Sequence, residues 1–187
     1  MSFLFRRRRK DIPGAREDGI FERYPGGVIE FFRFEEDLHR FMIAQPDWGK
    51  NRTGNELPFE EVQGERTTVI YQVPIPKNED EIFKYYLEQF DRKGLKIFYA
   101  QDNRALLGKP EDWFTSLYLT GKNISAWFDL SIIMRGKIYG YISGKLRSGN
   151  HTLYASVFAV NHFRNNRYTG IIITVSRSKT DIPLPGK

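Results

Sequence analysis

Histidine is the side chain best suited to acid–base or metal chemistry near neutral pH, and this chain has three. His39, His151 and His162 are scattered, and no His-Glu-x-x-His pattern places two of them on one helix face. Cysteine is absent, which excludes disulfides, thiolate nucleophiles and cysteine-ligated metals. We therefore expect neither a metal site nor a cofactor, and we interpret the histidines as ordinary surface or boundary residues.

A phosphate-binding loop is a second possible chemistry, because glycines and a lysine lie close together in the segment Gly140–Lys145. The P-loop of a nucleotide-binding protein has four residues between its glycines and Ser or Thr after its lysine. Here three residues separate Gly140 from Gly144, and Leu146 follows the lysine. Neither the spacing of the glycines nor the residue after the lysine matches the P-loop motif.

Carboxylates are the remaining candidates for catalysis. Glu60, Glu61 and Asp112 could act as acids or bases in an enzyme, although acidic side chains of this kind are usually solvated at the surface. No Gly-x-Ser-x-Gly turn marks a serine nucleophile. We expect no catalytic residue, and we keep a carboxylate enzyme as a minor alternative.

Basic side chains form the strongest charge signal. Residues 11–134 hold 15 basic and 22 acidic side chains, whereas residues 135–187 hold 9 basic side chains and one acidic side chain. A further basic run, residues 6–10, follows an apolar start, which is the reverse of the order in a signal peptide. The candidate anion-binding residues are Arg6, Arg7, Arg8, Arg9, Lys10, Lys137, Lys145, Arg147, Arg164 and Arg167, and the C-terminal excess also includes Arg135, Arg177 and Lys179.

Several interpretations of these cations stay open. The N-terminal run is either an arm that binds phosphate or anionic lipid or a solvated terminus. The C-terminal cations form an anion-binding face, pair with the acidic middle of the chain, or simply alternate outward on strands. The segment Arg135–Ile142 is similar to the aromatic RNA-binding strand of an RRM, but two extra residues interrupt that motif, so we expect it to pack into a core.

The elements that would position these residues begin with a strand-helix-strand unit. Residues 67–73 are rich in β-branched side chains and end at Pro74, which predicts a strand. Asn78 and Glu81 then resemble a capping box, and apolar residues recur at helical spacing until Gly94, which predicts a helix over 78–94. A strand over 95–100 follows, and the right-handed crossover rule makes the two strands parallel if they share a sheet.

The flanking segments predict mostly strands. Before the unit we expect a strand over 28–34, a short helix over 35–42 and a long loop over 43–65. After it we expect a short helix over 110–119 and an antiparallel meander with turns at 135–137 and 148–150; its strands cover 126–134, 137–146, 152–161 and 170–175.

The predicted fold class is α+β, a single sheet with one main helix. We expect a basic arm over residues 1–10, a single domain over 11–179 and an extended tail over 180–187. The apolar runs are far shorter than the roughly 20 residues that a membrane-spanning helix needs, so no transmembrane helix is expected.

Several turn motifs are similar to those of a domain of unknown function found N-terminal to OmpA-like domains in bacterial envelope proteins. The matching segments are 11–14 (Asp-Ile-Pro-Gly), 23–26 (Arg-Tyr-Pro-Gly), 71–74 (Tyr-Gln-Val-Pro) before the helix that ends at Gly94-Leu95, and 141–144 (Tyr-Ile-Ser-Gly) before the strand 154–160. The resemblance implies a non-enzymatic accessory or binding domain of the bacterial cell envelope or periplasm, although no export signal, lipid-accepting cysteine or OmpA-like domain is present in the sequence.

The partner that the resemblance implies is another envelope protein or an anionic surface. The alternative is a basic module, possible in the cytoplasm, that binds nucleic acid or anionic lipid through the N-terminal arm and the C-terminal strands. The sequence does not specify a ligand or an oligomeric state.

Overall fold

The structure of the protein, a computed structural model, describes residues 10–45, 58–75, 80–102, 117, 138–161 and 168–179. Its elements are β1 (Val28–Met42), β2 (Phe59–Pro74), α1 (Glu81–Arg92), β3 (Lys96–Asp102), β4 (Ile138–Ser148), β5 (His151–Asn161) and β6 (Tyr168–Lys179). The predicted arm except Lys10, the helix 110–119 except Leu117, the strand 126–134, the turn 135–137 and the tail 180–187 lie outside the described residues.

The six strands form one sheet in the order β1-β2-β6-β5-β4-β3, and every neighbouring pair is antiparallel. With one helix, the described part of the chain is mostly strand, which is compatible with the predicted α+β class. β2 and β3 run in the same direction, but β6, β5 and β4 lie between them. The turn between β4 and β5 has Gly149 at φ +58° and no positive φ at Asn150, the pattern of a type II′ turn.

The predicted helix over residues 35–42 is wrong, because these residues form the second half of strand β1. Glu35, Asp37 and His39 alternate onto one side of β1 and all contact Arg66 of β2, which lies directly opposite Glu35 in the register. The segment contains good helix formers. It forms a strand because a strand places these alternate side chains beside the buried arginine, which a helix would not do.

The predicted loop over residues 43–65 is also wrong in part, because β2 begins at Phe59. Residues 46–57 lie outside the described part of the chain. The polar stretch at the start of β2 includes Gly64, where an added Cβ would lie 2.2 Å from the carbonyl oxygen of Arg177. Glycine therefore allows β2 and β6 to approach closely at this point.

Helix α1 begins after Asp80, which makes no side-chain capping bond, and the predicted cap Asn78 lies outside the described residues. At its other end Gly94 has φ +72°, and the amides of Gly94 and Leu95 donate to the carbonyls of Asp91 and Phe90 at 2.9 Å. This pair of bonds is a Schellman motif, so Gly94 ends the helix as the sequence predicts.

We call the side of the sheet that α1 covers the helix face. Its core combines the helical stripe Ile82, Tyr86 and Phe90 with alternate residues of the strands. The segment 10–27 also packs on this face, where the ring of Phe21 stacks on Phe90 at 4.9 Å and the Glu22 amide donates to Gln89 Oε1 at 2.6 Å. The N-terminal segment is therefore part of the core.

We call the opposite side the far face. It carries a second apolar cluster that includes Ile70, Tyr141, Phe158, Ile172 and the isolated described residue Leu117. The end of β1 bends over this face, because the Met42 amide donates to Tyr141 Oη at 3.1 Å and Ser143 Oγ donates to the Met42 carbonyl. In the part of the chain that the structure describes, no helix is long and apolar enough to cross a membrane.

Candidate anion-binding site

The predicted anion-binding residues that the structure describes are Lys10, Lys145 and Arg147. Lys145 and Arg147 lie two residues apart near the end of β4. Lys10 precedes Asp11, which accepts a hydrogen bond from the amide of Ile29 at the other end of the sheet. The structure thus brings two of the three together. The other predicted residues, Arg6, Arg7, Arg8, Arg9, Lys137, Arg164 and Arg167, lie outside the described part.

Lys145 is held by neighbouring side chains. Its Nζ lies 3.6 Å from Glu60 Oε2, 4.9 Å from the ring centre of Phe98 and 5.5 Å from that of Tyr154. Tyr154 Oη donates to Glu60 Oε1 at 2.8 Å. Burial and the Glu60 carboxylate raise the pKa of Tyr154 to about 12, so its hydroxyl stays protonated at neutral pH. Lys145 therefore fixes β4 to β2 and is only half-exposed.

The other described cations divide into two groups. Away from the end of β4, most are matched by a carboxylate within 4 Å; the matched residues are Arg23, Arg33, Arg40, Arg66, Lys84 and Arg92. Among the described side chains, those exposed without such a partner are Lys10 and Arg16 in the N-terminal segment, and Lys93, Lys96, Arg147 and Arg177.

Lys93, Lys96, Arg147 and Arg177 lie at one end of the sheet, which we call the basic end; Lys96 and Arg147 are on the far face, and Arg177 is on the helix face. Lys93 follows α1, and Lys96 begins β3 and lies opposite Lys145 of β4. Arg147 lies just before the β4–β5 turn, and Arg177 lies near the end of β6, opposite Leu153 of β5. The nearby exposed carboxylates include Glu65, opposite Arg177, Glu36, opposite Glu65, and Asp91 in the last turn of the helix.

Sequence analysis missed Lys93 and Lys96 as candidates. Both belong to the middle of the chain, where acidic residues outnumber basic ones. The signal that could have found them is the crossover. Because a helix links two strands that run in the same direction, Lys93 and Lys96 return to the end of the sheet at which β2 begins. Only the position of β3 beside β4 shows that they join Arg147.

A second polar cluster lies on the far face around Arg66, whose side chain is nearly fully buried. Its Nη2 donates to Asp37 Oδ2 at 3.1 Å and to Glu35 Oε1, and its Nη1 donates to the Leu38 carbonyl at 3.1 Å. Nη1 also lies 3.2 Å from Nδ1 of His39. Because arginine only donates, Nδ1 is the acceptor and the proton of the neutral ring is on Nε2.

His39 is buried, so the prediction that it is a surface or boundary residue is wrong, and it stays neutral in this position. Burial, followed by the charge of Arg66, holds the pKa of His39 well below its usual range. A protonated imidazole would have no lone pair for Arg66 and would place two cations side by side. The cluster therefore joins β1 to β2 and does not present a proton-transferring histidine to solvent.

Hydroxyl groups continue this polar region across the far face. Directly opposite residues form a row through the strands: Arg33, Thr68, Thr174, Ser156, Ser143 and Tyr99. Thr68 Oγ1, Thr174 Oγ1 and, in the next row, Ser176 Oγ are buried without a hydrogen-bond partner in the described part of the chain. Buried hydroxyls without partners cost stability.

The alternative catalytic carboxylates are engaged, Glu60 by Tyr154 and Lys145 and Glu61 by Arg40 Nε at 2.9 Å, and Asp112 lies outside the described residues. Within the ranges that the structure describes, no three His, Asp or Glu side chains are grouped as metal ligands. No family model matches the chain, and no curated protein matches it.

Proposed function

We propose that the chain is a non-enzymatic accessory or binding domain of the bacterial cell envelope and that the basic end is its contact surface. In this proposal, β2, α1 and β3 act as one strand-helix-strand unit, and β4, β5 and β6 act as an antiparallel meander. Together they form the scaffold that presents the cations.

The observation that carries the proposal is the segregation of charge. Most described cations elsewhere on the sheet and helix have a carboxylate partner, whereas those of the basic end are exposed without one. Exposed like charges held together repel each other, so a surface that keeps them together favours a ligand of opposite charge. A negatively charged partner would supply the missing counter-charges.

The envelope assignment is supported by the turn motifs and by what their residues do. Arg23 donates to Asp11 at 2.8 and 2.9 Å and to Glu17, and Asp11 accepts from the Ile29 amide. Tyr24 donates to Glu81 at the start of α1 at 2.6 Å. These motif residues join the N-terminal segment to the sheet and helix, so a domain that shares them would also share this packing.

Fractionation of the native host cells tests the envelope proposal. The full chain, detected with an antibody, is expected with the envelope or periplasmic fraction, and a cytosolic enzyme and a known envelope protein serve as markers. Recovery of the chain only with the cytosolic marker would refute the proposal. The result does not depend on which ligand the basic end contacts.

The second candidate function is a basic module that binds nucleic acid or anionic lipid through both the N-terminal arm and the C-terminal strands. The exposed state of Lys10 and Arg147 favours it. However, Lys10 lies close to Ile29, and the row of directly opposite residues that contains Ile29 passes through Gly140 of β4. Gly140 lies about 26 Å along β4 from Ser148, at about 3.3 Å per residue. One ligand would have to span the sheet.

Salt titration tests this second candidate. Binding of nucleic acid or anionic vesicles should weaken as salt rises, and it should weaken further when Arg6, Arg7, Arg8 and Arg9 are replaced by Ala. An affinity that changes neither with salt nor with these substitutions would exclude it.

A further inference from the structure

We infer that the basic end docks on the phosphate headgroups of an anionic phospholipid bilayer. This inference rests on the proposed binding function and names the partner of the same surface. It assigns the contact to Lys93, Lys96, Arg147 and Arg177, and it does not require the N-terminal arm.

The shape of the basic end fits a surface better than a groove. Its cations lie where β6, β5, β4 and β3 end side by side, a width of about 14 Å at about 4.8 Å per strand spacing. Residues 147–151, which include the tight β4–β5 turn, are all exposed, so the cations beside this turn are open to solvent. A sheet end that carries exposed cations on both of its faces can meet one flat layer of phosphates edge-on.

The neighbouring apolar and aromatic residues favour lipid over nucleic acid. Ile97, next to Lys96, is 36% exposed and could enter the headgroup layer beside the cations. Proteins that bind single-stranded nucleic acid stack bases on free aromatic rings. The described rings nearest to this end, those of Phe98 and Tyr154, are already covered by the ammonium of Lys145.

The expected strength is modest and depends on salt. A Lys or Arg near an anionic bilayer raises the partition coefficient about fivefold, so the four cations together give an increase of several hundredfold. The exposed carboxylates Glu65 and Asp91 and the negative C-terminal end of α1 reduce this attraction. Ionic screening should reduce it further as salt approaches physiological strength and beyond.

Vesicle flotation of the full chain tests the inference. Vesicles of phosphatidylcholine alone are compared with vesicles that also contain phosphatidylglycerol. One variant replaces Arg6, Arg7, Arg8 and Arg9 by Gln, so that the arm cannot account for binding. A second adds K93Q, K96Q, R147Q and R177Q, and a control that removes cations elsewhere adds K10Q and R16Q, the unpaired cations of the N-terminal segment.

We expect the arm variant to float with the anionic vesicles only, and to be released by salt. The substitutions at the basic end should lower its partition coefficient by up to several hundredfold, whereas K10Q and R16Q should leave it nearly unchanged. Circular dichroism should show that all variants stay folded, because those of the replaced side chains that the structure describes are exposed.

Four results would overturn the inference. The substitutions at the basic end could leave binding unchanged, the arm variant could fail to bind anionic vesicles, a single-stranded oligonucleotide could displace it at equal phosphate concentration, or inorganic phosphate could do the same. The last two would identify nucleic acid or free phosphate as the ligand. An envelope location without vesicle binding refutes only the lipid inference, whereas a purely cytosolic location refutes the proposed function.

Discussion

Arg66 is the residue on which the far face depends most directly. It is buried, and each of its two terminal nitrogens contacts two groups on β1. Removing one member of a buried ion cluster leaves the others without their counter-charge, which typically costs about 3 to 5 kcal/mol. The cluster explains why charged residues can occupy a side of β1 that faces the interior.

His39 gives the protein a pH dependence near neutrality. Because the pKa of His39 is lowered in the folded state, only the unfolded state takes up this proton as the pH falls below about 6.5. The contribution is therefore fully present above that pH and lost below it, by up to about 1.4 kcal/mol per pH unit. Urea unfolding between about pH 7.5 and 5.5 should show this slope.

His39→Gln should flatten the slope, and His151→Gln serves as the control because His151 is exposed beside the β4–β5 turn. The readout is the change of the unfolding free energy with pH, which is separate from any loss of stability caused by the substitution itself. Equal slopes for the wild type and His39→Gln would contradict the assignment.

Replacing Thr174 by an apolar residue of the same shape should stabilise the fold. Its hydroxyl is buried without a hydrogen-bond partner in the described structure, and valine has nearly the same shape. Thr174→Val should therefore raise the free energy of unfolding by about 1 kcal/mol. Thr174→Ser keeps the hydroxyl but loses a buried methyl group, so it should lower this free energy by about 1 kcal/mol. A less stable valine variant would show that the hydroxyl makes a needed bond.

At the scale of elements, the first two strands show where sequence patterns succeed and fail. The apolar half of β2, residues 67–73, and the end of α1 at Gly94 agree with the sequence-based expectation. The second half of β1 does not, because its inward side chains are Glu35, Asp37 and His39. Alternation of apolar and polar residues cannot identify a strand whose buried side is charged and satisfied by Arg66 on the neighbouring strand.

Gly64→Ala should separate β2 from β6. The added methyl group would lie 2.2 Å from the Arg177 carbonyl oxygen and 2.9 Å from its carbon, and this neighbour is backbone that cannot rotate away. We expect the free energy of unfolding to fall by about 3 kcal/mol, measured by thermal or urea unfolding. Gln63→Ala, on the exposed adjacent residue, should change it by less than about 0.5 kcal/mol. Similar effects of the two substitutions would contradict the close approach.

At the scale of the whole molecule, the N-terminal segment belongs to the same folding unit as the sheet. Phe21 is 5% exposed and contacts both Phe90 and Tyr86, whereas Phe34 on β1 is 58% exposed. Phe21→Ala should lower the free energy of unfolding by about 3 to 5 kcal/mol, and Phe34→Ala by less than about 0.5 kcal/mol. A single unfolding transition by two spectroscopic probes should accompany both. A minor loss for Phe21→Ala would show that residues 10–27 are only loosely attached.

Only part of the candidate site could be predicted from the sequence, because the site depends on contacts between distant parts of the chain. The C-terminal excess of cations drew attention to Lys145 and Arg147 without a structure. Local sequence could not show that Glu60 holds Lys145, because these residues are distant in the chain. It could not show that Lys93 and Lys96 join Arg147 either, since this needs the position of β3 at the sheet edge.

The strand order has a consequence for how the protein is made. The last described strand, β6, is the one that lies between β2 and β5, so it joins the pair β1–β2 to the group β3–β4–β5. While the ribosome still holds residues 168–179, the sheet cannot be completed, and β2 and β5 lack their shared neighbour. During that time a chaperone would meet two open β edges rather than a finished sheet.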